Sequence, residues 1–357
     1  MGIYYDINDD IEKYSACWCY IIIGGRNTGK TYSALKYYLN RNEKIVFIKR
    51  TNHDIDVICN GTSIHKKLSY ESDHSPYKAL NRDLGTNIKA YKMENGIGGF
   101  YHATEDGPYG DPVGYIASLN AVSTIKGFDL SDADAIVFDE FIPQSWDRIS
   151  RNEGEQLMEL YKTVSRDRVL RGRGELKLIC LANAVNVYNP TCETLELTDI
   201  ISDMAIKHTE FYHDDYKGIL IHQIMTSAEM MAAEMETGIY RAMHDTAWGH
   251  MAFGNEFGYN DFSAVNKHAL KGYRTVCEIL YKKRAWYVYV NEGVYYISKS
   301  KSNKAPISYN LNIELQQKKC YYDIVITLYQ AAIDGNMYFE SYAMYDIIVN
   351  FKKRFVI

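Results

Sequence analysis

The 357-residue sequence predicts an α/β protein with a central, mostly parallel sheet, followed by a helical linker and a small second α/β domain. Three observations carry that prediction. Apolar runs of strand length recur with helix-prone stretches between them, the pattern from which parallel sheets are built. A glycine-bounded turn, "GGRNTGKT", joins the first apolar run to the first helix-prone stretch. The chain is also longer than the roughly 250–300 residues at which single cores stop growing, and its pattern changes late.

In chain order, strands are expected at Cys17 to Ile23 and, as "KIVFIKR", at Lys44 to Arg50, with a helix from Lys30 to about Asn42 between them. Residues 51–112 carry repeated turn signals, "NGTSIH", "SDHSPY", "NGIGG" and "EDGPYGDP", and read as a loop-rich insertion. Strand pattern returns in "VGYIASL" at Val113 to Leu119, "AIVFDEF" at Ala135 to Phe141 and "LKLICLANAV" at Leu176 to Val185, with a helix at Glu153 to Ser165. The Met-rich "SAEMMAAEMETGIYRAM" at Ser227 to Met243 reads as helical. Domain boundaries are therefore expected at 1–205, a linker or lid at 206–257, and a second domain at 258–357. In that last portion "AWYVYVNEGVYYISKS" reads as a hairpin turning at Asn291 to Gly293, and Tyr321 to Ile333 and Met337 to Asn350 are two apolar stretches.

Composition narrows the function classes. No apolar run approaches the roughly 18 residues of a membrane helix, so no membrane partner is expected. The acidic start lacks the basic and apolar regions of a secretory signal, and Asp6 stands where a myristoylation motif wants Ser or Thr. Seven cysteines without a C-x-x-C pair suggest reduced thiols in a cytosol. The 32 tyrosines suit strands and half-buried surfaces, where an apolar ring and a polar tip both find a place. Net charge is −5, but residues 265–357 hold 14 Lys+Arg against 7 Asp+Glu (+7), leaving 26 against 38 (−12) for residues 1–264. A basic, tyrosine-interleaved C-terminal portion either follows a phosphate backbone or is a solvated face.

Gly24 to Thr31 matches G-x-x-x-x-G-K-[ST] after an apolar strand and before a helix, the context a phosphate-binding loop requires. Its members are Gly24, Gly25, Arg26, Asn27, Thr28, Gly29, Lys30 and Thr31. Glycines allow successive N–H groups to point at phosphates, and the helix N-terminus adds positive potential. Lys30 is expected on the β/γ-phosphates of a nucleoside triphosphate and Thr31 on Mg²⁺. The strand "AIVFDEF" ends in Asp139, expected beside the same metal, and Glu140, placed to deprotonate an attacking water. Asn183 closes another strand and suits a γ-phosphate sensor. Arg166, Arg168, Arg171 and Arg173 crowd one segment, and one of them is a candidate for an arginine finger acting in a neighbouring subunit.

With "GxRxxGK[ST]", "IVFDEFI" and "CLxNAVxxxNP" on the page, the chain resembles the DNA-packaging ATPases of small tailed bacteriophages with protein-primed linear genomes, ring motors of the additional-strand, catalytic-glutamate division of P-loop proteins. The similarity is densest from Ile21 to Pro190 and weaker through Asp245 to Phe257. The resemblance implies ATP and Mg²⁺ as cofactors. It also implies a homopentameric ring at a capsid portal, docked through a phage-encoded structural RNA and pumping double-stranded DNA into a procapsid. It places the protein in the host cytoplasm and transiently on the portal, not in the mature virion. Lys30, Thr31, Asp139, Glu140 and Asn183 match the family's functional positions, Arg166 its trans-acting finger, Lys126 a basic residue acting across the subunit interface, and Arg26 an arginine within the cradle. The second domain is implied to be ribonuclease H-like and vestigial as a nuclease, with Glu278, Asp323 and Asp334 scattered. Lys66 and Lys67 are candidates for the DNA-gripping loop. Two alternatives stand beside this: a terminase with an active endonuclease domain, and a non-hydrolysing, nucleotide-gated assembly protein.

Overall fold

The computed structural model describes residues 3–59, 74–144, 147, 149–254, 257 and 260–355; Lys66 and Lys67 lie outside them. The chain divides into two compact units, residues 1–195 with 207–259, and residues 196–206 with 260–357.

The first unit is organised by nine strands: β1 (Cys19–Gly24), β2 (Ile45–Lys49), β3 (Ile88–Glu94), β4 (Ile97–Thr104), β5 (Gly107–Ser118), β6 (Ala135–Asp139), β7 (Lys177–Ala182), β8 (Phe211–Asp214) and β9 (Ile219–Ile224). They form one sheet in the order β3-β4-β5-β2-β6-β7-β1-β9-β8. The six central strands, β5 to β9 in that order, run parallel, and antiparallel pairs close both edges. Every residue of β1 is buried, as strands covered on both faces require. The helix Lys30–Asn40 turns Ala34, Leu35 and Tyr38 inward at helical spacing, onto a core shared with Tyr20, Ile22, Phe47 and Val137. Strand β7 lies between β1 and β6, so the cradle strand and the carboxylate strand are separated by the strand that leads into Asn183.

Residues 51–112 are not a loop-rich insertion: their described part holds the helices Asn52–Cys59 and Lys78–Leu84 and most of a three-strand meander. Of the turn signals, "NGIGG" and "EDGPYGDP" fall at its hairpin turns, while "NGTSIH" and the start of "SDHSPY" lie outside the described residues; Gly98 and Gly99 sit inside β4, where a Cβ on Gly98 would fall 2.7 Å from the Tyr91 carbonyl oxygen. The segment 206–257 is not wholly a linker either. It supplies β8 and β9, the latter paired with β1 from Cys19↔Ile219 to Gly24↔Ile224. The Met-rich helices Ala228–Met235 and Gly238–Met243 follow only afterwards and bury no residue.

The second unit carries β10 (Arg274–Tyr281), β11 (Arg284–Asn291), β12 (Val294–Ser298), β13 (Ser308–Asn310) and β14 (Met337–Phe339), in the order β13-β10-β11-β12-β14. β10 to β12 form an antiparallel meander, flanked by β13 parallel to β10 and β14 parallel to β12. One face packs Ile279, Trp286, Val288 and Ile297 against helical residues Leu328, Met344 and Phe351. The other buries Tyr287, Tyr289 and Tyr296, whose hydroxyls donate to Glu278, the Ser300 carbonyl and the Asn266 carbonyl at 2.8, 2.6 and 3.1 Å. The helix Thr198–Lys207, placed by sequence at the end of the first domain, is anchored in this unit instead. Asp199 accepts from Lys299 at 2.5 Å and from Ser341 at 2.7 Å. Burial opposes the ionised form of Asp199, yet these partners hold its carboxyl below the usual range.

Candidate active site

The cradle forms where β1 ends and the helix Lys30–Asn40 begins. Asn27 at φ 61° and Gly29 at φ 88° turn the loop through the left-handed region, which glycine enters without steric cost and asparagine more readily than most residues. The helix start at Gly29 has no side-chain cap, so its first N–H groups face the loop's concavity. Lys30 folds back into that concavity. Its Nζ donates to the carbonyls of Gly24 (3.1 Å) and Gly25 (2.6 Å), to Thr28 Oγ1 (3.1 Å) and to Asn183 Oδ1 (3.3 Å). Burial lowers the lysine's pKa to about 8, with Asp139 acting in the opposite direction. Thr28 closes the loop by donating to the Gly25 carbonyl at 3.1 Å. Gly24 has its own steric reason, because a Cβ there would meet Ile224 Cβ at 3.0 Å.

The acid pair sits across the same cavity. β6 and β7 end in register, Asp139 beside Leu181, which brings Asp139 to the strand edge from which Asn183 also projects. Thr31 Oγ1 donates to Asp139 Oδ1 at 2.9 Å. Glu140 leaves the strand at φ 56° with its side chain 61% exposed to the cavity mouth. A cavity of about 310 Å³ is lined by Arg26, Asn27, Thr28, Gly29, Lys30 and Thr31 of the cradle with Tyr32, Asp139, Glu140 and Asn183.

Two residues of this site have no role in the sequence reading. Lys49, the last residue of β2, donates to Asp139 Oδ2 at 2.8 Å and to Glu140 Oε2 at 3.1 Å. Burial presses the Lys49 pKa down, but Asp139 and then Glu140 outweigh it and the pKa is raised. Arg50 forks onto Glu153, Nε to Oε2 at 2.6 Å and Nη2 to Oε1 at 3.2 Å, while Nη2 also donates to the carbonyls of Glu140 (3.0 Å) and Phe141 (3.2 Å). The turn that presents Glu140 is thus tied to a buried ion pair. The available signal was the Lys-Arg pair closing "KIVFIKR", two cations at the C-terminal edge where ligands of open α/β sheets bind.

The four clustered arginines separate by environment. Arg168 is buried and donates to Asp134 at 2.7 Å and to the Ala133 and Gly174 carbonyls; Arg173 reaches the same Asp134 at 2.8 Å and the Ser131 carbonyl at 2.6 Å. Both brace the start of β6. Arg171 is exposed and pairs with Asp167, four residues earlier, at 2.8 Å. Arg166 ends the helix Glu153–Ser165 at φ 36°, 40% exposed, against Asp129 (3.3 Å) and the Phe128 carbonyl (3.2 Å). Lys126 lies on the same side, 3.5 Å from Glu159 of that helix and exposed. Arg168 and Arg173 thus clasp Asp134, the residue before β6, roughly 16 Å along the chain from Asp139 at the strand's end. The fold therefore brings Lys30, Thr31, Asp139, Glu140 and Asn183 together and leaves Arg166 at the far end of the helix that begins at Glu153, with Lys126 beside the middle of that helix; neither lines the cavity of the cradle.

The donor set fits a nucleoside triphosphate with Mg²⁺. A hard cation takes oxygen ligands and keeps several waters, and Thr31 Oγ1 and Asp139 offer two converging oxygens. Lys30 hydrogen-bonds four oxygens of the loop and its surroundings, a cationic donor set that triphosphate oxygens can take over.

A family model described as podovirus DNA encapsidation protein (Gp16) matches residues 109–333, more than half of the chain. The match begins after the cradle and includes Asp139, Glu140, Arg166 and Asn183. The DNA packaging protein of Bacillus phage B103 is 25% identical over 275 residues, 76% of this chain and 73% of the relative. That of Bacillus phage phi29 is 24% identical over 283 residues, 77% and 73% of the two chains. Among solved structures, a chain of the bacteriophage Phi-29 viral genome packaging motor assembly superposes with TM-score 0.64 at 18% identity, covering 99% of this chain and all of that one. A chain of the Phi-28 gp11 DNA packaging motor gives 0.59 at 19% identity, with 96% and 95% covered.

Proposed function

The chain belongs to the podovirus DNA encapsidation protein (Gp16) family, and from that premise we propose that it is the ATP-hydrolysing subunit of a motor that drives double-stranded DNA into a procapsid. One observation carries the catalytic part: a phosphate cradle, a Thr31–Asp139 oxygen pair and the Glu140 carboxylate face one cavity. In this reading the cradle N–H groups and Lys30 hold the β- and γ-phosphates. Mg²⁺, held through Thr31 and Asp139, supplies charge neutralisation on the phosphate oxygens. Glu140 takes a proton from water as that water's oxygen forms a bond to the γ-phosphorus and the bond to the leaving ADP breaks. Lys49 fixes the Glu140 carboxylate, and Asn183, which already touches Lys30, senses the γ-phosphate.

Arg166 and Lys126 are exposed and lie outside the cavity of their own cradle, which supports action on a neighbour's cradle, hence a ring, for which a pentamer is our reading. Its partners in this reading are the portal and a phage-encoded structural RNA, with the basic second unit as the nucleic-acid-holding element. We place the protein in the host cytoplasm and transiently on the portal, absent from the mature virion. The test is Glu140→Gln. The variant is expected to bind ATP as the unaltered chain does while DNA-stimulated phosphate release falls by about a hundred-fold or more, the usual contribution of a positioned general base. Unchanged release would remove Glu140 from the chemistry, and ATP binding without DNA-stimulated release by the unaltered chain would return it to a nucleotide-gated binding module.

A further inference from the structure

The segment preceding the first helix is fastened across the cradle. The Tyr5 N–H donates to the Thr28 carbonyl at 3.0 Å, and the Ile7 N–H donates to Oγ of Ser33, one turn into the cradle helix, at 2.8 Å. Ile7 and Ile11 anchor the following helix in the core. The fastening continues outward: Tyr5 donates to Asp10 at 2.7 Å, and Asp10 lies 2.7 Å from Nδ1 of His222, which sits on β9, the neighbour of the cradle strand. Three attachments, to Thr28, to Ser33 and, through Asp10, to His222, thus fix the backbone next to Tyr4 to the loop, its helix and its sheet.

Tyr4 itself is spent on none of them. The residue is 63% exposed, yet it rests on the last glycine of the cradle, since a Cβ built on Gly29 would lie 3.2 Å from Tyr4 Cβ and 3.6 Å from Cδ1. Tyr32, the other aromatic at this helix start, is already engaged through its hydroxyl with Asp83 at 3.0 Å and lies beneath the Lys36 ammonium. An exposed aromatic ring held against the glycine of a phosphate cradle offers a π-face on which a nucleotide base can stack, and such stacking tolerates any base.

We propose that Tyr4 is the platform on which the nucleotide base stacks, so that the N-terminal segment completes the cradle as a nucleoside site and not merely a phosphate site. This rests on the nucleotide reading of the cavity. Phosphates then contribute anchoring through Lys30 and the loop, and the base contributes through Tyr4, two terms that a ligand without a base separates.

The experiment compares ATP with inorganic tripolyphosphate, both with Mg²⁺, by calorimetry on the full chain, on Tyr4→Ala and on Tyr4→Trp. Tyr4→Ala is expected to lose about ten-fold in ATP affinity, within the range for removing one stacking partner, while its tripolyphosphate affinity stays unchanged. Tyr4→Trp is expected to match or exceed the unaltered chain for ATP. Equal losses for both ligands would mean that the ring only props the Gly29 turn, and no loss for either would mean that the base lies elsewhere; each overturns the platform. Failure of the unaltered chain to bind either ligand would instead overturn the nucleotide reading beneath it.

Discussion

Replacing Arg50 with alanine tests how the turn that presents Glu140 is held. Its partner Glu153 has a side chain 1% exposed and Arg50 one 13% exposed, and the two meet through a double contact at 2.6 and 3.2 Å. Burial already raises the Glu153 pKa above the ordinary carboxylate range, with Arg50 opposing the rise. Removing one member of a buried pair leaves an uncompensated charge and costs about 3–5 kcal/mol, a large part of the roughly 5–15 kcal/mol that holds a domain folded. The sign with pH follows from the raised pKa. A carboxyl whose folded pKa lies above its unfolded value destabilises the fold only where it must ionise, so its penalty is absent in acid and grows as pH rises through the two values. Without Arg50 the folded pKa climbs further and that window widens. In chemical denaturation the Arg50→Ala deficit should therefore be full near pH 8 and clearly smaller near pH 5. Arg50→Met combined with Glu153→Gln should recover most of the stability at both, because it removes the charge together with its partner. ATP hydrolysis should remain impaired in the double variant, since the Glu140 and Phe141 carbonyls still lack the Arg50 donor. A deficit independent of pH, or a double variant as unstable as Arg50→Ala, would refute the buried-charge account.

Lys30 gives a second pH dependence. Its pKa of about 8 in the ligand-free cradle should rise when triphosphate oxygens surround the ammonium, so binding takes up a proton and ATP affinity should fall about ten-fold between pH 7 and pH 9. Calorimetry in buffers of different ionisation enthalpy measures that uptake directly, and an affinity flat over this range would contradict it. The position of Arg166 outside the cavity of its own cradle predicts complementation: Arg166→Ala and Lys30→Ala should each be inactive alone, while their mixture regains part of the DNA-stimulated hydrolysis. Loss that persists at every mixing ratio would place Arg166 outside the neighbouring site.

What could be read from the sequence follows the distance over which each feature is made. The cradle was legible because phosphate binding demands a local sentence: a strand, glycine at φ 88°, a lysine, and a hydroxyl opening a helix. Asp139 and Glu140 were legible for the same reason, as the polar end of an apolar strand. Lys49 and Arg50 were not, because their partners Glu140 and Glu153 lie 91 and 103 residues away and only the adjacency of β2 and β6 brings them together. Strand order is non-local in the same sense: nothing in "LKLICLANAV" states that it separates the cradle strand from the carboxylate strand. Composition misled where two signals overlapped. Methionine-rich helices drew β8 and β9 into a supposed linker, although "GILIHQI" has the buried run of a central strand, and turn residues between 51 and 112 hid the strands they connect. Arg166 marks a different boundary. Its motif was readable and the fold gives its place, but the partner proposed for it belongs to another copy of the chain. A single sequence or a single fold can hold no more than one half of a contact between copies.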